Sequence, residues 1–131
     1  MVLGIGVDIV EVARVQKALE KHGDRIENRV FTAEERSDCA DRVDRALALA
    51  ARFAAKEACL KALGTGWAGG LSFRQVEVWR DASGRPSLRL HGRAAETAAE
   101  LGVTATYLSM SHQPSVAVAV VVLEGEGPGA E

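Results

Sequence analysis

The chain is sparing with the features that mark specialised classes. Among 131 residues there are only two cysteines, Cys39 and Cys59, and their separation matches no metal-binding pattern, which excludes a disulfide framework or a cysteine metal cluster as its organising device. No strong excess of either charge is present. A formal net charge of -2 argues against a general nucleic-acid or membrane-surface binder, so any anionic partner has to be met locally. Long hydrophobic runs are missing too: no stretch approaches the roughly 20 apolar residues of a membrane span. The opening Met1-Val2-Leu3-Gly4 reaches Asp8 and Glu11 with no basic segment or cleavage site of a secretory leader. Internal repeats are absent. Together these point to a reduced, cytoplasmic protein with no nucleic-acid and no membrane partner.

What remains suits one globular domain with a real core: 47% of the residues are hydrophobic and 26% charged. Residues 1–124 are expected to form that domain, with residues 125–131 as a disordered tail. The β-branched run Val2 to Val10 predicts a strand leading into a helix from about Glu11 to His22, closed by Gly23. Thr32 with Glu35 makes a capping-box pattern for a shorter helix. A long alanine-rich helix spans roughly Val43 to Leu63 and stops at Gly64. Gln75 to Arg80 and Ser87 to His91 read as a hairpin, Arg93 to Leu101 as a helix, and Val103 to His112 with Val116 to Leu123 as a final strand pair. The unbroken run Val116 to Val122 suits a strand buried on both faces. Helices mixed with antiparallel hairpins make the fold class α+β.

Chemistry concentrates in a few places. At about 100° per residue, Arg45, Arg52 and Lys56 fall within one narrow arc of the long helix, which reads as an ordinary wet face. Glu57 and Lys61 lie opposite, among Ala46, Ala50, Phe53 and Ala54. Unpaired charges there would cost several kcal/mol, so the two form either a structural ion pair or a site in a cleft. In the first strand Gly4, Gly6 and Asp8 share a face; Asp8 either opens the next helix or serves as a ligand for a hard cation. Gly64-Thr65-Gly66 is a helix cap or a turn offering N–H groups to a phosphate. His112 ends a strand before Gln113-Pro114-Ser115, as a strand-end or core histidine or as a site residue. Arg14, Lys17 and Lys21 form a basic stripe on the first helix, suited to an acidic protein surface if it is more than solvated.

Taken together, Gly4-Ile5-Gly6-Val7-Asp8-Ile9-Val10-Glu11, Arg52-Phe53-Ala54-Ala55-Lys56-Glu57-Ala58 with Lys61-Ala62-Leu63-Gly64-Thr65-Gly66, and Ser109-Met110-Ser111-His112 resemble the holo-[acyl-carrier-protein] synthases, the short bacterial branch of the 4′-phosphopantetheinyl transferases. The resemblance runs from Gly4 to about Leu123. It implies a small antiparallel sheet packed with a long central helix, and a homotrimer with active sites between subunits. It further implies transfer of 4′-phosphopantetheine from coenzyme A to a serine of an apo acyl carrier protein, giving adenosine 3′,5′-bisphosphate and requiring Mg²⁺.

By the same resemblance, Asp8 and Glu57 match the metal-binding carboxylates, Lys61 and His112 match positions lining the coenzyme A phosphates, and Arg14 matches a basic position that meets the carrier protein. Arg52, Lys56, Gly64 and Thr65 are the further candidates for contact with coenzyme A. Gln113 departs from the pattern, since an acidic residue commonly follows the histidine. The residues suit the reaction: attack of a hydroxyl on a diphosphate needs negative charge neutralised, which two carboxylates with a metal and a nearby lysine can do. Two other classes remain open at this point, a catalytically silent module that docks carrier proteins and a metal-dependent hydrolase of nucleotide pyrophosphates.

Overall fold

The computed structural model describes residues 1–66 and 68–126. Strand β1 (Val2–Glu11) runs directly into α1 (Val12–His22). Gly23, at φ 49°, closes α1 and sends its N–H to Leu19 O at 2.8 Å. A helix the sequence did not announce follows, α2 (Asp24–Val30); its seven residues are too few for a periodic apolar signal. α3 (Ala33–Cys39) carries the expected capping box, with Glu35 N donating to Thr32 Oγ1 at 3.2 Å and Thr32 N to Glu35 Oε1 at 2.9 Å. The long helix α4 (Arg45–Leu63) ends at Gly64, which is left-handed at φ 78°. A 3₁₀ turn (Phe73–Gln75), the hairpin β2 (Val76–Arg80) and β3 (Pro86–Leu90), α5 (Gly92–Glu100), β4 (Val103–Gln113) and β5 (Val116–Gly125) complete the chain.

β1, β5 and β4 form one antiparallel sheet in that order, and β2 with β3 a second. The larger sheet lies on α4 at unusually close range, because the facing residues are small. A Cβ on Gly6 would stand 1.8 Å from Ala58 O, and one on Gly4 would stand 2.1 Å from Ala62 O. Only glycine on the strand against alanine on the helix allows backbone to approach backbone in this way. As the strand advances from Gly4 to Gly6 its helix contact retreats from Ala62 to Ala58, so β1 and α4 run antiparallel. Asp8, the next residue of the same face, is thereby carried toward the turns that bear Glu57 and Lys61. Ala117, Ala119, Val121 and Leu123 of β5 complete the buried face against the helix.

Three expectations change. Arg52 and Lys56 do not lie on a wet face: they are 1% and 0% exposed, and Lys56 is covered by α3, the 3₁₀ turn and β2. β5 is buried on one face only. Its other face, with Val120 37% exposed, joins Val7 at 53% in the cross-strand register and continues through Ile5 and Ile9 as an open apolar surface. Gly125, assigned to the tail from sequence, is the last residue of β5; it is buried and exchanges backbone hydrogen bonds with Met1. Residues 127–131 of that tail lie outside the described residues. Both cysteines are free and buried, and burial pushes the Cys59 thiol up to about 12. No helix among the described residues is long and apolar enough to cross a membrane.

Candidate active site

Where β1 leaves α4, a cavity of about 430 Å³ opens between β1, α1, α2 and α4. That size is typical of small-molecule sites. Asp8, Glu57 and Arg14 contribute its charged lining, and Val15, Leu19, Ile26, Phe31 and Phe53 much of its apolar wall. The structure thus brings Asp8 and Glu57, which strand and helix patterns gave as separate candidates and only the resemblance joined, to one space. Lys61 joins them from one turn further along α4. Helix side chains lean toward the N-terminus, so its long stem reaches back along β1, and Nζ donates to Asp8 Oδ1 at 2.9 Å and to Val7 O at 3.0 Å. Asp8 is 18% exposed at its side chain and Lys61 55%, so the pair sits at the rim, open to exchange.

Two carboxylates on one cavity are a suitable donor set for a hard divalent cation. Among the described residues no group of three or more His, Cys, Asp or Glu side chains forms a closed metal cage. A pair of carboxylates agrees with Mg²⁺ chemistry, in which water and substrate phosphates supply the remaining oxygens.

A second cavity, of about 210 Å³, lies at the β4 edge of the inner sheet face, where Met110 stands across Ala119 from Asp8 in the strand register. Arg42, Arg52, Arg80 and His112 line it together with Pro86 and Met110. Its acidic residue, Asp44, is held by Arg42 through two hydrogen bonds of 2.9 Å, and that partner keeps the Asp44 carboxyl below the usual range. Arg52 donates from Nη1 to Ala48 O at 3.2 Å, while its buried Nε has no hydrogen-bond partner. The chamber is therefore built for an anion. His112 is exposed, which removes the core reading of that residue. Gln113 beside it is exposed on β4 at the turn into β5.

Lys56, expected among the residues that meet coenzyme A, is instead locked into the interior. Its Nζ donates to Glu35 Oε1 at 2.7 Å, to Phe73 O at 3.0 Å and to Val76 O at 2.5 Å. All three donors of the ammonium are used. Burial pushes the Lys56 pKa down, against the opposing pull of the Glu35 charge. Glu35 spends its remaining capacity on the N–H groups of Thr32 and Val78, at 2.9 Å each. Gly64 also serves structure, since its N–H turns back to Leu60 O and Lys61 O at 3.1 Å each. Thr65 follows on the loop, its hydroxyl 3.3 Å from Gly66 O. Arg14, Lys17 and Lys21 are all exposed on α1, and of the three Arg14 reaches the first cavity.

Sequence reasoning missed Arg42 and Arg80, single basic residues before a helix and at a strand end, where no periodicity singles them out. It found Glu35 as a helix cap and not as the partner of Lys56.

Comparison with known proteins gives the family. The sequence model of the 4′-phosphopantetheinyl transferase superfamily matches residues 4–121. The holo-[acyl-carrier-protein] synthase of Alkalilimnicola ehrlichii is 49% identical over 125 residues, covering 95% of this chain and 98% of that relative. The crystal structure of the Neisseria meningitidis holo-[acyl-carrier-protein] synthase superposes with a TM-score of 0.86 at 38% identity, over 95% of this chain and 99% of the other. The Helicobacter pylori enzyme, solved in complex with coenzyme A, superposes with a TM-score of 0.81 at 30% identity, over 92% and 99%. The chain belongs to the 4′-phosphopantetheinyl transferase superfamily, in its holo-[acyl-carrier-protein] synthase branch.

Proposed function

We propose that this protein transfers the 4′-phosphopantetheine arm of coenzyme A to a serine of an apo acyl carrier protein and releases adenosine 3′,5′-bisphosphate. The observation that carries this reading is the meeting of Asp8 and Glu57 on one cavity with Lys61 at its rim. Asp8 and Glu57 are the residues that would hold Mg²⁺, which when bound supplies neutralisation of the diphosphate oxygens. The serine oxygen forms the new bond to the phosphorus that bears pantetheine, and the bond to the nucleotide phosphate breaks with its electron pair. Lys61 is placed to add fixed positive charge at the leaving phosphate. The serine proton needs an acceptor within the cavity, and Glu57 is this chain's candidate, directly or through a water.

Assembly as a homotrimer with sites between subunits is part of the same reading. The open apolar face of Ile5, Val7, Ile9 and Val120 supports it, because a monomer would leave that surface in water. The basic cavity of Arg42, Arg52, Arg80 and His112 supports it too, since it stands apart from Asp8 and suits the phosphates of a coenzyme A bound mainly to a neighbouring copy. The exposed stripe Arg14, Lys17 and Lys21 borders the first cavity and fits an acidic carrier protein, which would approach with its serine toward Asp8 and Glu57. Such a protein would work in the cytoplasm.

Mass spectrometry of an apo carrier protein incubated with coenzyme A and Mg²⁺ tests the reading. The wild-type protein adds the mass of phosphopantetheine. Asp8→Ala and Glu57→Ala each reduce the rate at least about a hundredfold while thermal unfolding stays cooperative. Full activity of either variant removes the assignment of that carboxylate. No mass gain with the wild type leaves only a docking module, and release of free phosphopantetheine in place of transfer points to a hydrolase.

A further inference from the structure

The Lys61–Asp8 pair is a problem for any cation that has to bind Asp8. An ammonium 2.9 Å from Oδ1 occupies one of the carboxylate's oxygens and places a positive charge where a second is to arrive. Yet Lys61 is poorly anchored for a structural residue. Its side chain is 55% exposed, and its other contact is a single backbone carbonyl, Val7 O. This is the reverse of Lys56 on the same helix, which is fully buried among three acceptors. A lysine held loosely on a carboxylate, at the mouth of the cavity where a diphosphate is to sit, has two partners available to it in turn.

We propose that Lys61 is the resident counter-ion of Asp8, holding the carboxylate in the free enzyme and moving to the substrate diphosphate when a divalent cation takes its place. The inference rests on the function proposed above and adds a second source of coupling to the one that phosphate oxygens on the metal already give: release of Lys61 from Asp8. With no diphosphate present, the cation competes with Lys61 for Asp8. With a diphosphate present, Lys61 gains new acceptor oxygens and the competition is relieved. Linkage makes the effect reciprocal, so coenzyme A strengthens metal binding by the same factor as metal strengthens coenzyme A binding. The flexible four-carbon stem allows the move, since more than half of the side chain, 55%, is exposed.

The test measures binding of Mn²⁺ as a spectroscopic stand-in for Mg²⁺, by the loss of its free-ion electron paramagnetic resonance signal, with no turnover involved. For the wild type, Mn²⁺ alone binds weakly and coenzyme A tightens it, whereas adenosine 3′,5′-bisphosphate, which lacks the diphosphate, does not. Lys61→Met removes the charge and keeps the stem: it binds Mn²⁺ alone about tenfold more tightly than the wild type, and the gain from coenzyme A shrinks by a similar factor. Lys61→Arg keeps the charge and behaves as the wild type. If Lys61→Met binds Mn²⁺ alone no more tightly than the wild type, the counter-ion role is overturned. Asp8→Ala separates this from failure of the metal assignment. If that variant loses Mn²⁺ binding, Asp8 stands as a ligand whatever Lys61 does; if it binds Mn²⁺ as well as the wild type with coenzyme A present, both the assignment and the inference fall.

Discussion

The two charged stripes of α4 lie on opposite sides of one helix, and what packs over each sets them apart. Arg52 and Lys56 are both buried; Lys56 is sealed by Glu35 of α3 and the carbonyls of Phe73 and Val76 with every ammonium proton committed, whereas Arg52 lines the basic cavity. Glu57 and Lys61 lie on the half-open side, where Lys61 keeps one carboxylate and one carbonyl and remains in contact with water. Lys56 in the dry stripe fixes shape, Arg52 beside it lines the basic cavity with its Nε unpartnered, and charge in the open stripe stays available to ligands. The same helix thus joins a rigid anchor to a reactive rim within two consecutive residues, Lys56 and Glu57, which ties the orientation of Glu57 to the best-held side chain of the fold.

The sharpest test of this contrast substitutes both lysines with methionine. Lys56→Met strands Glu35 in the interior without its cation, and removal of one partner from a buried pair costs about 3–5 kcal/mol. The urea midpoint should fall accordingly, and the double variant Lys56→Met with Glu35→Gln should recover part of the loss because the uncompensated charge has gone. Lys61→Met should move the midpoint by no more than about 0.5 kcal/mol, as expected for an ion pair open to water. Equal losses in the two variants would erase the distinction between the stripes.

Why the sequence placed Arg52 and Lys56 on a wet face is a matter of range. Angular position along α4 correctly separated Arg52 and Lys56 from Glu57 and Lys61. Which side is dry depends on what packs there, and the cover consists of Glu35, Phe73 and Val76, distant in sequence and two of them acting through backbone carbonyls. Local signals fared better: the Thr32 to Glu35 capping box, the Gly23 and Gly64 stops and the shared face of Gly4, Gly6 and Asp8 are all set within a few residues. The convergence of Asp8 with Glu57 was legible only through resemblance, because strand alternation says which face Asp8 is on and nothing about which helix lies against it. α2 and the basic lining of Arg42 and Arg80 carried no pattern, one being too short and the others isolated.

The rim depends on the close approach of β1 to α4, so a smaller but informative change is Gly6→Ala. Its methyl would meet Ala58 O at 1.8 Å, and backbone cannot yield as a flexible side chain can. The strand must lift, at about 1–3 kcal/mol for an overpacked contact. Because Asp8 lies two residues further along the same face, Mn²⁺ binding in the presence of coenzyme A should weaken along with stability. A variant that loses stability while keeping full Mn²⁺ affinity would show that Asp8 is placed independently of the glycine contact.

The smallest expected effect belongs to the outer edge of the dry network. Glu77 is buried, accepts from Thr32 Oγ1 at 2.6 Å and lies 3.1 Å from His91 Nε2. Burial pushes its carboxyl up, but the hydrogen bonds from Thr32 and His91 outweigh this and leave it below the ordinary value of 4.5. A carboxyl whose folded pKa lies below its unfolded one stabilises the protein above the unfolded value, and that contribution is lost as pH falls through the folded pKa. The urea midpoint should therefore drop on acidification below 4.5. Glu77→Gln, which keeps an acceptor for Thr32 but cannot titrate, should make the acid limb of that profile shallower. Arg89 and His91 face the same carboxyl and Glu35 shares Thr32 with it, so the variant flattens the limb without abolishing it. An unchanged acid limb in Glu77→Gln would move the acid sensitivity elsewhere and leave the edge of the network as packing alone.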